Sequence, residues 1–378
     1  MSSPLSHFSV RGHDAALIHL HSLLVATPPH ALLLIGPTGV GVGRLAREVA
    51  MALLCAGPSD VAPCHECRAC RLVAHESHTD LHLLSPAGPG DEIGVDPVRE
   101  LAGAIALLPV EGRRRVALIA RADRMSESAQ HALLKLLEEP PAGTHLLLAA
   151  SDESRLLPTI KSRCATLRLG LPEHAAAVAL LVERLAVERA VATRLLAIGE
   201  GRPGPLLQAN ATAETAVTHA TLRAELLDLT RVPPLARLTR LAPLVARAVA
   251  LLAVEPLLAT NAVSSDGQKP RGSAADRRAA AATLLRLWRS LARDLATVAA
   301  GAAEAISFPD ERAALEATVA ATPVGAPAVA LARIDRAVRS LRANPNPELL
   351  LDTVALTWLT AGPREQLTAA GHTPEIVT

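Results

Sequence analysis

An α/β domain built on a parallel sheet, followed by a helical remainder, is the fold class this sequence predicts. Three observations predict it. Short apolar runs alternate with helical stretches over about the first 170 residues, the mark of strand–helix–strand units. The early runs are unbroken, as strands buried on both faces must be. From Leu171-Pro172-Glu173 onward the pattern becomes an almost continuous 3.6-residue apolar repeat rich in Leu and Ala, both strong helix formers.

The elements follow in order. Ala31–Ile35 is an apolar run ended by Gly36-Pro37, a strand feeding a glycine loop. A helix follows from Gly43 to Leu54, and a cysteine-rich segment, residues 55–70, then interrupts the alternation. Residues 79–84 predict a second strand. Pro97–Leu108 predicts a helix with Asp96 as its N-cap and Pro97 at its first position. Val116–Ala120 is a third strand, after the basic turn Gly112–Arg115. A helix opens at Ser126 and is stopped by Pro140-Pro141, and His145–Ala150 is the fourth strand. Residues 171–215 read as a small helical unit containing the turn Gly199-Glu200-Gly201-Arg202-Pro203-Gly204, and residues 216–378 as a larger helical domain. Within the latter, the polar turn formers of 261–273 predict a flexible loop.

A chain of 378 residues is long enough for two or three domains. Lys plus Arg number 38 and Asp plus Glu 37, so the net charge of +1 gives no sign of a dedicated polyanion binder. Two Phe, two Trp and no Tyr leave almost no material for base-stacking platforms. No apolar run is a convincing membrane span. The opening MSSPLSHFSV lacks a charged leader followed by an apolar stretch, so a cytoplasmic chain is expected.

Four cysteines, Cys55, Cys64, Cys67 and Cys70, have the spacing C-x8-C-x2-C-x2-C, with Cys164 far away. Clustered thiols in a reducing compartment do not persist as disulfides. Four thiolates close a tetrahedral shell around Zn²⁺ and leave no place for water, so such a site is structural. An iron–sulfur cluster uses the same CxxCxxC step, and scattered core cysteines are the bland alternative. The polar residues Pro63, His65, Glu66 and Arg68 argue against a core.

Residues 36–44, GPTGVGVGR, follow the strand and open the helix, as a G-x-x-x-x-G-K-[ST] phosphate loop does. Gly36 and Gly41 fit that pattern. Val42 stands where the lysine would reach phosphate, and Gly43 where a hydroxyl would hold Mg²⁺. Arg44 comes two positions late. Ala120-Arg121 stands where the third strand would be followed by metal-binding and catalytic carboxylates, and Asp123 is the local acid. Two separate losses predict a nucleotide-binding fold that does not hydrolyse ATP, with ATP binding not expected.

The series His78-Thr79-Asp80, Ile93–Arg99, Ala122-Asp123-Arg124-Met125, Ala132–Pro141 and Leu157–Cys164, after the four-cysteine spacing, resembles the delta-prime family of bacterial DNA polymerase III clamp-loader subunits, relatives of the AAA+ ATPases. The resemblance is strong over residues 5–170. Further on it is weak, resting on Leu287-Trp288-Arg289, Arg293-Asp294-Leu295 and Asn344–Leu349. It implies an AAA+ P-loop-like domain (1–170) carrying a zinc module (55–70), a helical lid domain (171–215) and an oligomerising helical collar (216–378). It also implies a non-motor arm of a hetero-oligomer with gamma/tau and delta subunits, which loads a sliding clamp on primed DNA. By the same resemblance, Ser162-Arg163-Cys164 is an arginine-finger motif and Arg163 acts in trans on a neighbour's ATP. Gamma/tau-type subunits share the cysteines and this triplet but keep an intact loop. An active motor of that type and an AAA+-derived scaffold outside replication are the alternatives. Arg202 reads as structural, and Arg113-Arg114-Arg115 as a surface hairpin of like charge. Lys135, Glu138 and Glu139 read as subunit contacts or solvated helix ends.

Overall fold

The computed structural model describes residues 7–58, 62–88, 91–112, 114–252, 274–341 and 346–360, so the loop expected at 261–273 lies outside the described residues. They form two compact units. One holds the chain up to Ala192 together with Gly199–Gln208; the other holds Thr193–Ile198 and the chain from Ala209 onward.

In the first unit, β1 (Ala31–Ile35), β2 (Leu81–Leu84), β3 (Arg115–Ile119), β4 (Thr144–Ala150) and β5 (Ala165–Arg168) make one sheet in the order β2-β3-β4-β1-β5. All its pairings are parallel, with Leu32 opposite both Leu147 and Ala165. Successive side chains on a strand point to opposite faces. β1 therefore delivers Leu32 and Leu34 to one core and Ala31, Leu33 and Ile35 to another. α1 (Asp14–Ala26), α2 (Val42–Leu54) and α3 (Arg68–Ala74) cover the first face. α4 (Val95–Ile105), α5 (Glu127–Glu138) and the single turn α6 (Pro158–Lys161) cover the second. α7 (His174–Leu185) and α9 (Pro203–Gln208) pack on each other, and α8 (Arg189–Ile198) runs from one unit into the other.

The predicted strands and helices are present; α1 and α3 are additional helices that the sequence reading did not include, and three further differences stand out. β5 was not foreseen: four residues without an unbroken apolar run carry no strand signal, and their pairing to β1 makes them one. Gly94, not Asp96, caps α4, because Val95 is already helical; Asp96 sits in the first turn and pairs with Arg99 at 3.1 Å. α4 also stops at Ile105 rather than Leu108.

The early stop has a cause that corrects the reading of the basic turn. Arg115 is buried, not a surface residue. It donates to the carbonyls of Ala104 and Leu108, both at 2.6 Å, and its Nη2 lies 3.5 Å from Oδ1 of the buried Asp80. Asp80 also accepts from the amides of Val110, Glu111 and Gly112 at 2.7, 2.9 and 3.3 Å. The pair thus ends α4 and pins the loop behind it. Burial disfavours the Asp80 anion, but these amides and Arg115 outweigh it and hold the carboxyl below its ordinary range.

The second unit is helical, as predicted: α10 (Ala213–Asp228), α11 (Pro234–Ala248), α12 (Ala274–Ala299), α13 (Arg312–Ala320), α14 (Ala326–Ser340) and α15 (Pro347–Leu356). Leu284, Trp288, Leu291 and Leu295 of α12 lie at its centre, and Trp288 meets Trp358 edge-on at 5.3 Å. Arg223 is wholly buried there. It donates to Asp294 at 2.7 Å and Glu311 at 2.8 Å, and lies 4.2 Å over Phe308. Phe8, Phe308, Trp288 and Trp358, the chain's whole aromatic complement, are buried, so none serves as an exposed stacking platform.

Removing one member of a buried ion pair strands the other. Asp80→Ala is therefore expected to cost about 3–5 kcal/mol in urea unfolding at pH 7. The native pKa of Asp80 lies below its unfolded value. Its stabilisation is complete above the unfolded value and is lost as pH falls through the native one. The gap between wild type and Asp80→Ala should accordingly narrow on acidification.

Candidate functional site

Three groups of side chains were marked by the sequence: the glycine loop, the cysteines and Arg163. The fold keeps them apart.

The loop leaves the C-terminal end of β1, an inner strand between β4 and β5. Gly36 must be glycine, because a Cβ there would lie 2.5 Å from the Leu169 carbonyl oxygen and 2.9 Å from a Val42 methyl. Gly41 caps α2 at φ +111°, a conformation open to glycine. Val42 is buried and belongs to the core with Val10, Val40 and Leu169. An apolar plug thus occupies the place from which a lysine would reach phosphate. Gly43 faces open space, with no side chain to offer a metal.

The apex of the loop is clamped by α9. The Gly204 amide donates to the Gly39 carbonyl at 2.9 Å, and a Cβ on Gly204 would fall 2.6 Å from that oxygen. A cavity of about 730 Å³ lies beside the loop, walled by Gly36–Arg44, residues 85–88, Arg121, Ser151 and α9. Asp123, the one acid near the expected metal position, is buried and engaged: Arg121 contacts it at 3.2 Å and the Ser151 hydroxyl donates to it at 2.9 Å. Arg44 does not stand in for the lysine; it is bonded to Ser9 and lies 3.4 Å from Glu48. Arg202 donates to the Gly199 carbonyl and to Glu200 and does not line the cavity, in keeping with a structural part.

The cysteines come together from three places: Cys55 caps the end of α2, Cys64 lies in the connection, and Cys67 and Cys70 open α3. Their Sγ atoms all lie within 4.8 Å of one another, with Cys55–Cys64 at 3.6 Å, Cys64–Cys70 at 3.8 Å and Cys55–Cys67 at 4.0 Å. An ion held tetrahedrally by metal–sulfur bonds of about 2.3 Å sets its sulfurs about 3.8 Å apart. The cluster therefore fits a metal ion, and the scattered-cysteine reading fails. Amides of Gly57, Cys67 and Cys70 point at the sulfurs of Cys55, Cys64 and Cys67, each at 3.4 Å, and favour thiolate. Burial resists ionisation of Cys67, but the amides of Ala56 and Cys70 outweigh it and bring the thiol down to about 6. Burial pushes Cys55 and Cys70 up. His65 and His78 turn elsewhere, to the His7 carbonyl and the Asp80 amide.

Arg163 follows α6, just before β5. Its guanidinium is held by Glu138 at 2.7 Å and by the Thr159 carbonyl at 3.1 Å, yet 36% of the side chain stays exposed. The sequence did not single out Glu138 as this partner; α5 and α6 had to be packed first. Cys164, next in the chain, is buried in the core and its thiol is pushed up to about 12 by burial.

Residues 13–172 match the protein family described as DNA polymerase III, delta subunit. The similarity to that family is confined to this stretch, less than half of the chain. The DNA polymerase III subunit delta' of Pseudomonas aeruginosa is 44% identical over 175 residues, 46% of this chain and 53% of that protein. The subunit delta' of Haemophilus influenzae is 38% identical over 200 residues, 53% and 58% of the two chains. The tau/gamma subunit of Haemophilus influenzae is 37% identical over 140 residues, 37% of this chain and 20% of that one. The chain thus spans about half the length of the delta' relatives it matches.

The clamp on the loop is testable. Gly204→Ala presses a methyl against backbone and is expected to destabilise the first unit by about 1–3 kcal/mol in denaturant titration. Gly43→Ala, which meets nothing, should cost less than half as much.

Proposed function

We propose that this chain is a non-motor, delta-prime-type subunit of a bacterial DNA polymerase III clamp loader. Its partners would be gamma/tau and delta subunits, a sliding clamp and primed DNA, in a cytoplasmic hetero-oligomer. Among the described residues no helix is long and apolar enough to cross a membrane. In this reading residues 171–215 act as lid and 216–378 as collar.

One observation carries the reading. The loop has lost its lysine and hydroxyl, the nearest acid is tied to an arginine, and yet the finger candidate is intact and partly exposed. Sheet topology supports a role in trans. Gly36 leaves the C-terminal end of β1, whereas Arg163 precedes β5, whose first residue, Ala165, pairs near the N-terminal end of β1 at Leu32. The length of strand between those levels is roughly 13 Å. Arg163 therefore faces away from its own loop and toward whatever packs against the other end of the sheet. A guanidinium offers five donors in a rigid fork and positive charge for a developing γ-phosphate. Glu138 would keep that fork oriented until a neighbour's phosphate competes for it.

The cysteine cluster is proposed to hold Zn²⁺. Its residues would close the shell with four thiolates and staple residues 55–70, a segment too polar to form a core. Metal analysis of the purified chain should find about one zinc and no iron per molecule, and Cys64→Ser should lower the content. Iron with visible absorbance would mean a cluster instead.

The finger is tested by ATP turnover of the assembled loader with clamp and primed DNA. This chain alone should show none. Arg163→Ala should abolish turnover at the site it serves, where a finger contributes on the order of 10³-fold or more. Unchanged turnover of the Arg163→Ala complex would refute the finger.

A further inference from the structure

His219, on α10 of the second unit, is buried, and its Nδ1 has no hydrogen-bond partner among the described residues. Its ring lies 5.2 Å from that of Phe308, tilted by 37°. Phe308 stands at the head of the turn Pro309–Glu311. The same aromatic ring carries two guanidiniums, Arg223 at 4.2 Å and Arg194 at 5.0 Å from its centroid. An imidazole thus shares one ring with two permanent cations.

Arg223 lies one turn further along α10, and Arg194 comes from α8. Asp294 comes from α12, and Asp310 and Glu311 from the turn. These three carboxylates are paired with the arginines, not with His219. Asp294 and Glu311 hold Arg223 at 2.7 and 2.8 Å, Glu311 holds Arg194 at 2.7 Å, and Asp310 also pairs with Arg194. α11 directs Arg237 to backbone carbonyls and Arg247 to Glu225. Burial and the charges of Arg223 and Arg194 hold the imidazole well below the ordinary histidine range. A proton there would set a third cation against the Phe308 ring.

The two arginines are not equally held. Arg223 is wholly buried and also donates to the Ser290 hydroxyl. Arg194 is partly exposed, its partner Asp310 is 65% exposed, and its Nε is buried without a partner among the described residues. Repulsion therefore moves Arg194 first. That side chain ties Thr193–Ile198, the part of α8 that belongs to the second unit, to the turn Pro309–Glu311.

We propose that His219 is an acid-sensitive lock in the second unit. Neutral, it lets Arg194 and Arg223 share Phe308. A proton from solvent on its ring drives Arg194 off Phe308 and frees Thr193–Ile198 from the turn. The lock goes beyond the clamp-loader reading and does not depend on it.

Because the folded pKa lies below the unfolded one, His219 adds nothing to stability above the unfolded value and subtracts from it as pH falls lower. The chain's two tryptophans, Trp288 and Trp358, both lie in the second unit, so their fluorescence reports its unfolding. Urea unfolding of the full chain is compared with that of His219→Gln and His219→Leu. Relative to either variant, the folded-to-unfolded ratio of the wild type should fall about tenfold between pH 7.5 and 5.5. Hydrogen exchange, corrected for intrinsic rates, should show residues 193–198 losing protection at pH 5.5 before the centre of α12 does. Arg194→Gln should lack that protection already at pH 7.5. In the folded wild type, NMR should find the His219 ring still neutral at pH 5.5. A ring that titrates at the ordinary histidine value or above, equal pH dependence of the wild type and both variants, or simultaneous loss of protection at 193–198 and in α12 would overturn the lock. The ring titration and the exchange at pH 5.5 use the unsubstituted chain, so they decide the matter even where both variants fail to fold.

Discussion

β1 is hydrogen-bonded to β4 on one side and β5 on the other, and both its faces are covered. With no exposed surface it can carry only apolar side chains, and it supplies the registration for everything around it. Its C-terminal end launches the glycine loop, and β4 ends beside it at Ser151, which reaches Asp123. Its N-terminal end sets the level of β5 and hence of Arg163. The polar features of the unit lie at the ends of this sheet, where the covering helices leave room for them.

That arrangement shows what stands at the positions where a phosphate loop carries its lysine, hydroxyl and acids. The lysine position points toward the core as readily as toward phosphate, and Val42 fills the core with Val10 and Leu169. Ala120 and Arg121 stand at the acid positions, and Arg121 is paired with the nearby Asp123. Val42 and Asp123 are thus both engaged within the unit. The loop keeps its glycines for a separate reason: backbone and α9 crowd Gly36 and Gly39 whether or not anything binds.

Charge in this protein is used in two ways. Asp80–Arg115 in the first unit and Arg223–Asp294 in the second are buried ion pairs, each tied by further hydrogen bonds to the surrounding chain. Around the loop cavity the compensation stops halfway, at three carboxylates for six arginines. The near-zero net charge conceals this imbalance, because it averages over the whole surface.

By itself the sequence determined whatever rests on local periodicity and fixed spacing. The four apolar strands, the Ser126-capped helix ended by Pro140, the helical second half, the cysteine quartet and the absent lysine were all legible, because each depends on neighbours within about ten residues. Only the tertiary structure decided what depends on pairing across the chain. Ala165–Arg168 became a strand by lying against β1, α4 ended where Arg115 took its carbonyls, Glu138 found Arg163, and arginines from four separate segments converged on one cavity. No local pattern encodes such meetings, since a side chain's partner is set by which elements the core brings together.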